Sequence, residues 1–101
     1  MIRIVKLTFK AAHIEDFLNH FETVKEKINA FPGCQGMKLL QDKSNKNVFF
    51  TYSQWEKAED LDNYRNSELF GEIWPLVKTW FSDKASAWSV DERFNGFLNK
   101  K

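Results

Sequence analysis

The sequence predicts an α+β domain with its elements in the ferredoxin-like order β-α-β-β-α-β. Three observations predict it. The 101 residues leave room for one domain. Four short stretches are apolar or alternating and rich in β-branched and aromatic residues, as strands are. Between them lie two longer stretches whose apolar residues recur at three- and four-residue steps, as in helices. An antiparallel sheet of this topology carries its helices on one face.

Residues 2–10 form the first strand. Ile2, Ile4, Lys6 and Thr8 fall on one face, and Arg3, Val5, Leu7 and Phe9 on the other. Residues 13–30 follow as a helix, on the spacing of Ile14, Phe17, Leu18, Phe21, Val24 and Ile28. Glu15 and Asp16 complement the dipole in its first turn, and Phe31-Pro32-Gly33 ends it. Residues 35–42 and 47–55 read as a hairpin across the polar link Lys43 to Asn47. Val48-Phe49-Phe50 is apolar on both faces, which places the third strand centrally. A helical region spans about 57–81, and Pro75 is expected to kink it or to open a second helix there. Residues 84–90 alternate as the last strand. The domain is expected over 1–92 and a tail over 93–101, with Phe94, Phe97 and Leu98 as its apolar anchors.

Composition excludes several classes. The net charge is +1, and the interspersed charges give no footprint for nucleic acid. Val48-Phe49-Phe50 lacks the basic neighbours of an RNA-binding sheet. One cysteine, Cys34, permits no intrachain disulfide. No stretch reaches the roughly 20 apolar residues of a membrane span, and the first residues do not read as a signal peptide, so the cytoplasm is the expected compartment. Aromatic residues are in excess at 16%, with ten Phe and four Trp. Such an excess points to an aromatic pocket, to a surface buried against a partner, or to both. Apolar side chains on the sheet face without helices point to a second copy of the chain.

Five features carry a resemblance: Phe31-Pro32-Gly33-Cys34 leading into the second strand; Ser53-Gln54-Trp55-Glu56 leaving the third; then Leu61, Tyr64, and Asn66-Ser67-Glu68-Leu69-Phe70. Over about residues 2–92 the chain resembles the antibiotic biosynthesis monooxygenase family of the dimeric α/β-barrel superfamily. The resemblance implies a homodimer whose sheets form a barrel and an aromatic-lined pocket in each subunit. It further implies oxidation of phenolic, quinol or polyaromatic substrates by O₂ without metal or flavin. A heme-degrading branch uses an Asn, a Trp and a heme-ligating His. Here Trp55 matches that Trp, but Val5 and Trp74 stand at the other two positions, so heme degradation is not expected. Quinol-oxidising members often carry His where this chain has Tyr64.

Candidate site residues follow. Trp55 closes a strand before a helix, where it either walls a pocket or seals the corner. Tyr64 and Trp74 offer a hydroxyl donor and a flat face, or else belong to the core stripe. Phe17 and Phe21 on the first helix complete the expected pocket. Trp80 and Trp88 suit core or interface. His13 and His20 lie seven apart on one flank of the first helix, where either could act as a base at the rim. Two His without a third ligand make no zinc site. Cys34 has no sequence neighbour to activate it and reads as an inert thiol. Glu56, Glu59 and Asp60 read as first-turn carboxylates. The two functions in play are a cofactor-independent monooxygenase, with Tyr64, His13 or His20 as its catalytic groups, and a non-catalytic dimeric module that binds a small apolar ligand.

Overall fold

The computed structural model describes residues 1–97, so the expected anchor Leu98 lies outside the described residues. The elements are β1 (Ile2–Thr8), α1 (Ile14–Asn29), β2 (Cys34–Gln41), β3 (Val48–Trp55), α2 (Ala58–Arg65), α3 (Glu68–Lys78) and β4 (Ser86–Val90). The four strands form one antiparallel sheet in the order β2-β3-β1-β4. This is the ferredoxin-like order the sequence predicts, with β1 and β3 central.

Strand alternation sorts the side chains into two layers. Leu7 and Phe9 from β1 and its extension, and Phe49 from β3, meet Phe17, Val24 and Ile28 of α1 and Ile73 and Val77 of α3 in one buried cluster. Phe9 is fully buried and stacks on Phe17 with ring centroids 4.3 Å apart. A core of this kind is stabilised by the apolar area it removes from water. The register pairs Trp88 with Ile4 and Ile4 with Tyr52, and all three face away from the helices. Trp88 is 48% exposed there, and Leu40 is 46% exposed on the same face.

Two local signals place the first crossover. Gly33 adopts φ +87°, and a Cβ at that position would collide with the Asp60 side chain. Only glycine fits both conditions. The turn thereby brings the end of α1 against the start of α2, where Asp60 Oδ2 accepts the Lys57 N–H at 3.2 Å.

The helical region after β3 departs from expectation. Of the two expectations for Pro75, a kink or a new helix start, the second does not hold, since Pro75 sits inside α3. The break comes instead at Asn66-Ser67. Ser67 is the N-cap of α3, and its Oγ accepts the Phe70 N–H at 3.1 Å. That hydrogen bond satisfies a donor the helix start leaves orphaned, which makes Ser67 the stronger boundary signal. Pro75 withholds a donor from the Gly71 carbonyl, but both residues are exposed and water can replace it. In the tail, Phe94 and Phe97 are 80% and 88% exposed, so neither is buried against the described residues.

Candidate functional site

The site begins with small residues at the edge strand β4, Ala85 just before it and Ala87 within it. Ala85 and Ala87 face the helix layer, and Ala87 lies opposite Val5 in the β1–β4 ladder. Two methyl groups fill little of the space beneath the helices. A cavity of about 270 Å³ results, bounded by the sheet below and by α1, α2 and α3 above. Ala87 is exposed although it faces inward, so the cavity opens along β4.

Residues far apart in sequence converge on this space. Arg3, Val5 and Leu7 enter from β1, and Thr51, Ser53 and Trp55 from β3. Phe17, His20 and Phe21 enter from α1. Tyr64 and Arg65 enter from α2, and Phe70 and Trp74 from α3. Each group follows from local periodicity: alternate positions of a strand, or three- and four-residue steps of a helix.

The aromatic excess is organised as a chain of rings around the cavity. Trp55 stacks on Tyr64 at 5.4 Å and an interplanar angle of 29°. Tyr64 meets Phe70 edge-on at 5.2 Å, and Phe70 stacks on Trp74 at 5.6 Å. Trp74 then meets Phe81, which contacts Phe9 and through it Phe17 and Phe21. Offset and edge-to-face contacts of this sort are the favoured geometries for aromatic pairs. They hold flat walls in fixed orientations.

Trp55 sits at the corner between β3 and α2. It is 1% exposed, and its indole N–H donates to Ser53 Oγ at 2.9 Å. It is therefore a core residue whose ring also bounds the cavity. Tyr64 is half-buried, and among the described residues its hydroxyl makes no hydrogen bond to protein. Burial, with a smaller effect from the neighbouring Cys34 thiol, pushes its pKa up to about 12. The phenol stays a proton donor throughout the physiological range.

A stability prediction follows from this shift. Below pH ~10 both folded and unfolded chains keep the Tyr64 proton. Between that value and about 12 the unfolded chain loses it first. Folding stability therefore falls as pH rises through this window, by roughly 2–3 kcal/mol in total. Denaturant melts at stepped alkaline pH are expected to show that loss, and Tyr64→Phe to reduce it.

The two histidines part company. His13 lies in a single 3₁₀ turn ahead of α1, with Nδ1 2.8 Å from Asp16 Oδ2, and it does not line the cavity. His20 does line it, with its ring edge-on to Trp80 at 5.9 Å. Its Nε2 is buried and has no hydrogen-bond partner. An unpaired buried nitrogen costs about 1–3 kcal/mol, and a half-turn of the ring exchanges it with a carbon position. No protein partner at Nε2 opposes that turn.

Sequence reasoning missed the two arginines. Arg3 Nη1 donates to Ser89 Oγ at 3.0 Å. Burial and the nearby Arg65 guanidinium hold the Arg3 pKa below its ordinary value, while Asp62 acts weakly the other way. The signal was visible, since Arg3 is the one charge on the Val5, Leu7, Phe9 face of β1. Cys34 is half-buried and unpaired. Among the described residues no three His, Cys, Asp or Glu side chains gather as a metal site. No described helix is long and apolar enough to cross a membrane.

Fold and cavity together define a class: a ferredoxin-like α+β protein whose helices enclose an aromatic-walled space over the sheet. The family model for antibiotic biosynthesis monooxygenases matches residues 1–74, and the chain belongs to that family. Solved structures agree in fold. A conserved protein from Methanosarcina mazei Go1 is 24% identical with a TM-score of 0.80, covering 85% of this chain and 86% of that one. A Nitrosomonas europaea protein provisionally given the same family name is 16% identical with a TM-score of 0.84, covering 92% and 98%. A structure named as an antibiotic biosynthesis monooxygenase is 20% identical with a TM-score of 0.83, covering 91% and 98%. At these identities the likeness concerns the fold. No curated protein matches the chain.

Proposed function

We propose that the chain is a cofactor-independent monooxygenase acting on a small phenolic or quinol-type aromatic in this cavity. The observation that supports it is the convergence of Trp55, Tyr64 and His20 on one aromatic-walled space. Half-buried Phe21 and Trp74 offer faces for the substrate ring to stack on. His20 takes the acidic substrate proton as general base, after the ring presents a nitrogen to the cavity. Tyr64, held protonated, donates a hydrogen bond to the resulting anion. The apolar walls keep water from the anion.

The anion is then electron-rich enough to reduce O₂. A carbon–oxygen bond forms, giving a hydroperoxide once a proton returns. That carbon still bears one hydrogen, and its loss with the outer oxygen as water leaves a carbonyl there. One oxygen atom of O₂ stays in the product and the other leaves as water. The carbon is oxidised by the electrons that O₂ accepts, so no other reductant enters. Oxygen-electrode assays across a panel of hydroquinones and anthrones test the proposal. Uptake above buffer is expected for at least one; none across the panel would leave the alternative, a binding module without catalysis.

The functional unit is proposed to be a homodimer joined through the open sheet face. Trp88, Leu40 and Val90 are exposed there beside half-buried Ile4, Phe50 and Tyr52. Apolar side chains in such a row favour burial against a complementary surface, and a two-fold axis makes the face its own complement. Sedimentation velocity is expected to give twice the mass of one chain. Trp88→Asp is expected to shift the equilibrium to the monomer at micromolar concentration.

A further inference from the structure

The cavity is apolar along most of its length, yet two guanidiniums border it. Arg3 enters from β1 and Arg65 from α2. Both border the same space, and burial first and Arg65 second push the Arg3 pKa down. Among the described residues the salt bridges are His13–Asp16 and Lys25–Glu22, and neither arginine belongs to one. Asp62 exerts an attraction on Arg3 but forms no ion pair with it. Arg3 has one side-chain hydrogen bond, to Ser89 Oγ, and a guanidinium carries five donors. Two like charges held together at an apolar wall repel, and the repulsion is relieved by an anion between them.

The two ends of the cavity differ. Arg3 pairs with Ser53 in the β1–β3 ladder, near Trp55 and Tyr64. His20 packs on Trp80, whose carbonyl accepts the Lys10 N–H just beyond the other end of β1. Four residues of strand, on the order of 13 Å, separate Arg3 from Leu7. The guanidiniums and the imidazole thus border the cavity from opposite ends of β1.

We propose that the ligand of this cavity is a flat aromatic of one or two rings that carries an oxyanion, a carboxylate or a phosphate, held by Arg3 and Arg65. The proposal rests on the aromatic-cavity reading above and adds the substrate class. Guanidinium planes match both oxyanions in bidentate geometry. The volume of about 270 Å³ suits a ligand of that size and sits at the small end of ligand pockets. The anchored oxyanion leaves the opposite edge of the ring toward His20, where a phenolic or benzylic proton is needed.

Calorimetric titration of the full chain with a naphthol, a hydroxynaphthoic acid and a naphthyl phosphate tests this. The acid or the phosphate is expected to bind roughly tenfold or more tightly than the naphthol. The larger of the two gains assigns the oxyanion. Added salt is expected to weaken the anionic ligand more than the naphthol. Arg65→Gln, on an exposed helix position, and Arg3→Gln, checked for folding by thermal melting, are each expected to bring the ratio toward one. Equal affinity for all three ligands, or an undiminished ratio in Arg65→Gln and in folded Arg3→Gln, overturns the anion site and leaves the aromatic cavity standing. Failure of all three to bind overturns the cavity reading and this inference with it.

Discussion

His20→Gln is expected to lower aromatic-dependent O₂ consumption by about two orders of magnitude or more, the usual effect of removing a general base. The substitution keeps a polar side chain of similar reach but removes the ring nitrogen that can take a proton. Its effect is expected in kcat more than in KM, because the proton moves in the transition state and not on binding. Little structural damage is expected. Nε2 makes no hydrogen bond in the folded chain, so none is lost there, and what goes is one edge contact with Trp80. Oxygen-electrode rates beside thermal melts of the same samples separate the two effects. His13→Gln is the matched control, since His13 lies outside the cavity.

Trp55→Ala is expected to destabilise the chain by about 3–5 kcal/mol. For a domain with a total stability of roughly 5–15 kcal/mol, that approaches unfolding. The indole is 1% exposed and touches both Phe31 and Tyr64. Removing it opens a cavity and takes away the N–H that Ser53 Oγ accepts. Trp55→Phe keeps a ring and is expected to cost less, while shifting Tyr64, which stacks on it at the cavity wall. Denaturant melts read the first effect and ligand titration the second. The pair of variants separates the packing of Trp55 from its effect on the cavity beside it.

Much of the scaffold was legible because period and sidedness are written in apolar spacing. The alternation of β1 and the stripe of α1 place Leu7, Phe9, Phe17 and Val24 in one layer. The same stripes carry Phe17, Phe21, Tyr64 and Trp74 to the cavity, since cavity and core share the inner face. The break between α2 and α3 was misread. Pro75 is conspicuous in sequence, but a serine hydroxyl facing a free N–H decides the boundary, and Ser67 is one polar residue among several. The histidines were placed on one flank by a count of 100° per residue. That count fails for His13, which precedes α1 in a 3₁₀ turn. Arg3 is legible on the apolar face, but its meaning depends on Arg65, which only the folded chain brings to the same cavity. The cavity itself arises from Ala85 and Ala87, and small residues at an edge strand carry no signal until the helices above them are in place.

The central claim is that this cavity binds a phenol and removes its proton. The most direct measurement is the absorption spectrum of a chromogenic naphthol bound to the protein, taken below the pKa of the free compound. The phenolate band is expected on the native chain and the neutral band on His20→Gln. A neutral spectrum on the native chain, or the same phenolate band on the variant, would contradict it.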